Sequence, residues 1–326
     1  MNDAVLTDPP GGLTLGAWDH CDPETASAAD QQSRHWTSKV EGKLEIGSAA
    51  HRQACAAMFR DTFNPYKPTI IDWPKLDPEA RDRLVSLPIW DIAVQTEGKA
   101  SLRVRTYAEM LSGDPLLKQA VELNAFEEGR HKQVLANLVE AYGIRLEPEP
   151  AYVRPRDVEW AFMVTGFSEC IDSFFAFGLF ELAKRSGYFP PALVDTFEPV
   201  IREEGRHVLF FVNWVAWRRK TMPLWKRPVF EARILAVWLF LIWERIGIAG
   251  QLDGHPAQDN NFTVTGAKQV GVDVGVAQLM DICLAENDRR LGLYDKRLLR
   301  PRFVPAMVRL ARRFMPTKRP KIVTPA

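Results

Sequence analysis

The pentapeptide Glu127-Glu128-Gly129-Arg130-His131 recurs as Glu203-Glu204-Gly205-Arg206-His207, each time inside an otherwise apolar stretch. In an α-helix, residues three apart share a face, so Glu128 points with His131 and Glu204 with His207. The first face continues as Leu117, Val121, Asn124, Glu128, His131, Leu135, Leu138 and Tyr142. The second reads Phe197, Ile201, Glu204, His207, Phe211 and Trp214. Each Glu–His pair therefore sits mid-way along a stripe that should face a core. An ionised carboxylate buried there costs several kcal/mol unless something positive compensates. A divalent metal is such a compensation.

The helical stretch before each pentapeptide carries one inward acid. Glu97 lies on the stripe Trp90, Val94, Ser101 and Val104, and Glu169 on the stripe Phe162, Thr165, Ser173, Ala176 and Leu179. Asp172 and Glu181 compete with Glu169 for this role, and the stripe favours Glu169. The steps from Glu97 to Glu128 (31 residues) and from Glu169 to Glu204 (35 residues) suit two helices joined by a short loop, with their acids at one level. One Glu from each of two helices plus a Glu-x-x-His from each of two others is the ligand set of dimetal carboxylate bundles. The expected metal ligands are thus Glu97, Glu128, His131, Glu169, Glu204 and His207.

The other letters of the pentapeptide also need a role. A histidine that binds metal through one nitrogen donates its other N–H to a carboxylate or similar group. Glu127 and Glu203 are assigned that supporting role, with Arg130 and Arg206 pairing to them. Gly129 and Gly205 each cost a helix interior about 1 kcal/mol relative to Ala. Their repetition at one offset suggests close helix–helix approach.

The chain outside these motifs predicts an all-α fold. Residues 1–75 read as an irregular segment packing on the helices, with one short helix near 49–59. Asp77 followed by a proline opens a capped helix. Long helices are expected at 86–111, 115–142, 156–186 and 191–219, separated by Gly- and Pro-containing breaks. A fifth, beginning near Pro228, is apolar on nearly all sides and reads as buried. A loop and a sixth helix at 272–292 follow, then a basic amphipathic segment. The division is 1–75, a dimetal four-helix core at 76–220, and additional helices with a basic tail at 221–326.

With [Asp/Glu]-Glu-x-Arg-His twice and an isolated Glu on the helix before each copy, residues 86–219 resemble the ferritin-like di-iron oxygenases. Soluble acyl-carrier-protein desaturases and bacterial multicomponent monooxygenases share this extended pattern. The resemblance implies a ferritin-like four-helix bundle with extra carboxyl-terminal helices and two iron ions, a manganese–iron pair being the alternative. In the monooxygenases a hydroxyl residue one turn after the third-helix Glu lies beside the oxygen-binding space; Ser173 matches that position. The irregular amino terminus and everything after about residue 220 depart from the resemblance.

Composition narrows the remaining classes. The net charge of +1 and the lack of a basic stripe with interleaved aromatics argue against nucleic acid as a partner. Cys21, Cys55, Cys170 and Cys283 are widely spaced, which suits a reducing compartment. The first residues lack a signal-peptide pattern, and the longest apolar run, 234–243, is about half a bilayer span. The expected location is the cytoplasm. His20, His35, His51 and His255 read as solvated, and Cys170 as core packing. The aromatic run 174–180, Phe174 and Phe177 in particular, reads equally as the lining of an apolar substrate pocket or as helix interior. The basic stretch after residue 217 complements a helix carboxyl terminus or, less simply, docks an acidic carrier protein. The amphipathic tail segment (Phe303, Met307, Leu310, Phe314 against Arg302, Arg309, Arg312, Arg313) fits packing on its own domain, on a partner subunit of a homodimer, or on a membrane surface.

Four carboxylates, two imidazoles and no thiolate suit iron or manganese rather than zinc. No Cys-rich electron-transfer motif is present, so a separate electron donor or a co-substrate is required. The leading expectation is an O2-dependent oxygenase or oxidase that hydroxylates or N-oxygenates a small or lipid-like substrate. Fatty-acyl desaturation is the nearest alternative reaction. A ferritin- or rubrerythrin-like metal-oxidising or peroxide-detoxifying protein is the second class, and a non-enzymatic helical scaffold the third.

Overall fold

The computed structural model describes residues 31, 34–64, 71–249 and 275–315. Cys21, His20 and His255, and the loop that begins at residue 250, lie outside the described residues. Every regular element among the described residues is a helix, and the strand-like contact is a single bridge between Trp36 and Tyr294. The helices are α1 (Ala49–Thr62), α2 (Pro78–Val85), α3 (Trp90–Met110), α4 (Pro115–Tyr142) and α5 (Val158–Ser186). They continue as α6 (Pro191–Thr196), α7 (Glu198–Thr221), α8 (Arg227–Ala249), α9 (Val276–Leu291) and α10 (Phe303–Arg313).

Local signals set most of these boundaries. The carboxylates of Asp77, Asp114 and Asp157 accept the amide hydrogens of Ala80, Leu117 and Trp160, opening α2, α4 and α5. Each such cap stabilises a helix by about 1 kcal/mol. The helix expected at 191–219 is instead two helices. The Phe197 amide closes α6 on the Val194 carbonyl, and its own carbonyl opens α7 by accepting from Ile201. Pro199 then occupies the first turn of α7, where an absent N–H costs nothing.

The relative directions of the helices follow from which residues meet. Ser101 donates to the Ala125 carbonyl (2.9 Å), while Glu97 lies 3.7 Å from His131, so α3 and α4 are antiparallel. His131 meets Glu203 while His207 meets Glu127, which makes α4 and α7 antiparallel as well. Ser173 meets Glu204 and Phe162 meets Trp214, so α5 opposes α7. Consecutive helices α4 and α5 must therefore run the same way. The connection 143–157 has to return the chain along the length of α4, about 42 Å, and fifteen extended residues reach about 50 Å. It does so over α3: Glu147 bonds Asp91, Tyr152 covers Gly98, and Arg154 pairs with Glu109.

The close approaches fall elsewhere than the pentapeptides suggest. A Cβ on Gly205 would meet Leu291 and Phe177 at 3.7 and 3.8 Å, which is ordinary contact. Crowding is found at Gly166, where the Phe211 ring of α7 occupies the Cβ position, and at Gly178, where Cys283 of α9 does so. Missing side chains on α5 thus admit its neighbours on two sides.

Helix α8 departs from expectation. Phe230, Val237 and Leu241 are buried, but Val229, Leu235, Leu239, Ile242 and Trp243 are exposed. The reason is position: α8 packs on one side against α5 and has no helix over its outer face among the described residues. Helix α5 has the length and apolarity of a membrane span, yet two-thirds of its most apolar window is buried within the protein (67%). It is central because α3, α7, α8, α9 and α10 all pack against it.

Candidate metal centre

Helix α1 lies against both α4 and α7, so its carboxyl end forms a floor beneath the two pentapeptides. The Arg130 guanidinium donates to the Asn64 carbonyl and to Glu203 (2.6 Å). Arg206 donates to Thr62 Oγ1 (3.2 Å) and to Glu127 (2.7 Å). The same two carboxylates accept from the histidines: His131 Nε2 lies 2.7 Å from Glu203, and His207 Nε2 lies 2.9 Å from Glu127. Support is therefore exchanged. Each pentapeptide's Arg and His lean on the other pentapeptide's leading Glu. All six side chains are essentially fully buried.

Charge balance holds this layer together. Burial alone would raise the Glu127 carboxyl, but Arg206, His207 and Arg130 outweigh it and hold the group at about 2. Burial works against charge on both histidines, and the carboxylates around them still raise both well above the ordinary imidazole range.

With Nε2 engaged, the Nδ1 atoms point to the opposite side, toward the remaining acids. Glu128, His131, Glu204 and His207 each bring one ligand atom to a cluster whose members all lie within 4.8 Å of one another. His131 Nδ1 is 3.1 Å from Glu204 and 3.7 Å from Glu97, and His207 Nδ1 is 2.9 Å from Glu128. Two of the expected ligands lie at the margin of this cluster. The Glu97 side chain keeps 22% exposure. Burial, with Glu128 and Glu204 nearby, pushes its carboxyl up to about 8 against the pull of His131. Glu169 is raised well above the carboxylate range, first by burial and then by the charges of Glu128, Glu204 and Glu97. Ser173 donates to Glu204 Oε2 (3.1 Å), and burial of Glu204 is outweighed by His131, His207 and Ser173, which lower its pKa.

Comparison of the chain with protein-family models, curated proteins and solved structures gives no match.

Whether these residues suit a metal is answered by their own hydrogen bonding. His131 Nδ1, His207 Nδ1, Glu128 Oε1 and Glu169 Oε1 are buried and make no hydrogen bond of acceptable geometry. Buried polar atoms are rarely left so, and imidazole nitrogens and carboxylate oxygens gathered this closely suit a cation, which would displace the imidazole protons. The cluster can hold a metal ion. Oxygen and imidazole donors without thiolate favour a hard or borderline metal.

Other sequence expectations sort differently. Phe174 packs against Cys283, Val304 and Val308, and the Arg290 guanidinium lies over the Phe177 ring (5.6 Å). Both rings contact the later helices. A cavity of about 190 Å³ beside Gly205 is lined by Glu198, Arg202, Arg289 and Arg290 and is therefore strongly charged. His35 is exposed. His51 is not solvated: it is fully buried and its Nε2 lies 2.9 Å from Asn213 Oδ1. Its partner stands 162 residues away, which no local pattern reveals. Thr62, Asn64 and Phe59, whose ring stacks on His207 (5.8 Å), are site residues that the motif reading missed. Phe59 and Thr62 belong to a helix that carries no expected ligand, and Asn64 follows it, so their signal is tertiary.

Proposed function

We propose that the chain is an O2-activating dimetal oxidoreductase built on a ferritin-like bundle of α3, α4, α5 and α7. One long crossover between the second and third helices is a known connection in that class, and 143–157 supplies it. Glu97, Glu128, His131, Glu169, Glu204 and His207 would hold two divalent ions, whose four positive charges the four carboxylates offset. The observation that carries this reading is the convergence of the two Nδ1 atoms and the Glu128 and Glu204 oxygens, all within 4.8 Å of one another, on one side of the crossed Glu–Arg–His layer.

When bound, a reduced iron or manganese–iron pair supplies two electrons for O2 chemistry. The chain's own residues do the rest. Glu127 and Glu203 fix each imidazole so that Nε2–H is donated and Nδ1 is left as a ligand. Arg206, His207 and Arg130 outweigh burial and hold the Glu127 carboxyl ionised, and Arg130 pairs with Glu203 at 2.6 Å. Ser173 orients one oxygen of Glu204. Glu97 faces the exposed side of the cluster and is the carboxylate best placed to move when a substrate approaches. The substrate class remains small or lipid-like, and electrons come from a separate donor.

Metal analysis of purified protein, followed by anaerobic Fe(II) loading and O2 exposure under optical and Mössbauer observation, tests the proposal. Two metals per chain, abolished in Glu128→Ala and in Glu204→Ala, with a transient after O2, are expected. Absence of stoichiometric metal from the folded parent protein overturns it. Iron oxidation with release of ferric ion and no two-electron oxidation of any added substrate would favour the ferritin-like alternative.

A further inference from the structure

Two helices at one end of the chain expose apolar faces that nothing in the described protein covers. On α8 these are Val229, Leu235, Leu239, Ile242 and Trp243; on α10 they are Phe303, Met307, Leu310 and Phe314. The faces are joined, since the Trp238 and Phe303 rings meet at 4.5 Å. The inner side of α10 is anchored by Val304 and Val308, which are buried against Phe174 and Cys283. Its exposed apolar stripe is thus held outward by packing. Exposed apolar surface of this extent, on residues spaced along whole helices, marks an interaction site.

Charge identifies the partner. The chain carries net charge +1, yet beyond Asp295 it contains ten Lys and Arg and no Asp or Glu. Some of these are engaged internally: Arg297 and Arg300 bond backbone carbonyls, and Arg309 and Arg312 pair with Asp288 and Asp281. Arg302 and Arg313 are exposed or half-exposed and enter no ion pair among the described residues. A helix with a bulky apolar stripe beside a cationic one suits the headgroup boundary of an anionic bilayer. A second copy is a poorer fit, because a two-fold interface would bring Arg302 and Arg313 of both copies together.

We propose that the joined faces of α8 and α10 dock the protein on anionic lipid membranes. The inference stands apart from the metal centre and survives if that reading fails. Lipid would insert Phe303, Leu310, Leu239 and Trp243, while Arg302 and Arg313 engage the headgroups. Attraction of about 1 kcal/mol per cation near such a surface corresponds to about fivefold in binding.

The test is sedimentation of the full chain with vesicles of phosphatidylcholine alone or with about 30% phosphatidylserine, at about 50 and about 500 mM salt. Binding to the anionic vesicles at low salt, weakened at high salt, is expected. Arg302→Gln with Arg313→Gln should weaken it about thirtyfold. Leu239→Glu and Leu310→Glu, both at exposed positions, should each reduce it at least about tenfold. Unchanged circular dichroism and an unchanged thermal midpoint would show that the variants fold. No sedimentation of the parent protein at low salt, or equal binding to both vesicle types, overturns the proposal. So does a dimer in light scattering that Leu239→Glu converts to monomer, since the covering partner is then a second copy.

Discussion

The two pentapeptides are identical in sequence and nearly so in charge pairing, but their surroundings differ. In the first, Arg130 ends on a backbone carbonyl, that of Asn64, with its guanidinium over the Phe63 ring. In the second, Arg206 ends on a side-chain hydroxyl, that of Thr62, over the Phe59 ring. Glu204 accepts from the Ser173 hydroxyl, whereas the Glu128 Oε1 atom has the His207 Nδ1 atom 2.9 Å away. Glu97 is partly exposed, while the Glu169 Oε1 atom is buried and unpartnered. The halves are equivalent where they hold each other and unequal where they meet solvent. Repetition therefore sets the electrostatic frame, and the neighbouring helices set access.

The largest expected effect comes from breaking the exchange between halves. Glu203→Gln removes the nearest counter-charge of both Arg130 and His131, and Glu127→Gln does the same to Arg206 and His207. Breaking a buried pair costs about 3–5 kcal/mol, read by urea unfolding. If the halves are equivalent in support, both variants should fall by similar amounts. A loss under about 1 kcal/mol in either would show that water or a shifted side chain replaces the lost charge.

The glycines separate the repeated from the unrepeated. Gly166→Ala drives a methyl into the Phe211 ring and should destabilise by about 1–3 kcal/mol. Gly205→Ala meets only ordinary contacts and should be neutral or stabilising by up to about 1 kcal/mol. Thermal melts of the two variants decide this, and a reversed order would mean that α7, not α5, is the tightly packed partner.

The smallest effect concerns the strap that leads into α1 and so into the floor of both halves. Asp295 accepts from the Ser38 amide (2.9 Å), and Arg297 bonds the carbonyls of Ser38 and Val40. Burial alone would raise the Asp295 carboxyl, but Arg297 and the two amides hold it below its ordinary value. A depressed folded-state value gives stability that is complete above the unfolded one. That stability is lost as pH falls through the folded value. Hydrogen exchange at Ser38, corrected for intrinsic rate, should therefore keep its protection down to about pH 4 and lose it at lower pH ahead of the helix amides. Simultaneous loss throughout would mean that Asp295 is no local clasp.

Sequence alone determined the helical class, because capping aspartates, Gly and Pro punctuation and 3.6-residue stripes are local properties of the chain. It also singled out Glu128, His131, Glu204 and His207, since a charged pair inside an apolar stripe is anomalous wherever the helix sits. Tertiary structure decided the rest. The burial of His51 against Asn213, the floor of Thr62 and Asn64, and the exchange of Glu127 and Glu203 between helices all join residues distant in the chain. Helix α8 makes the same point from outside. Its composition reads as buried, but burial depends on what lies opposite, and no periodicity in one helix specifies its neighbour.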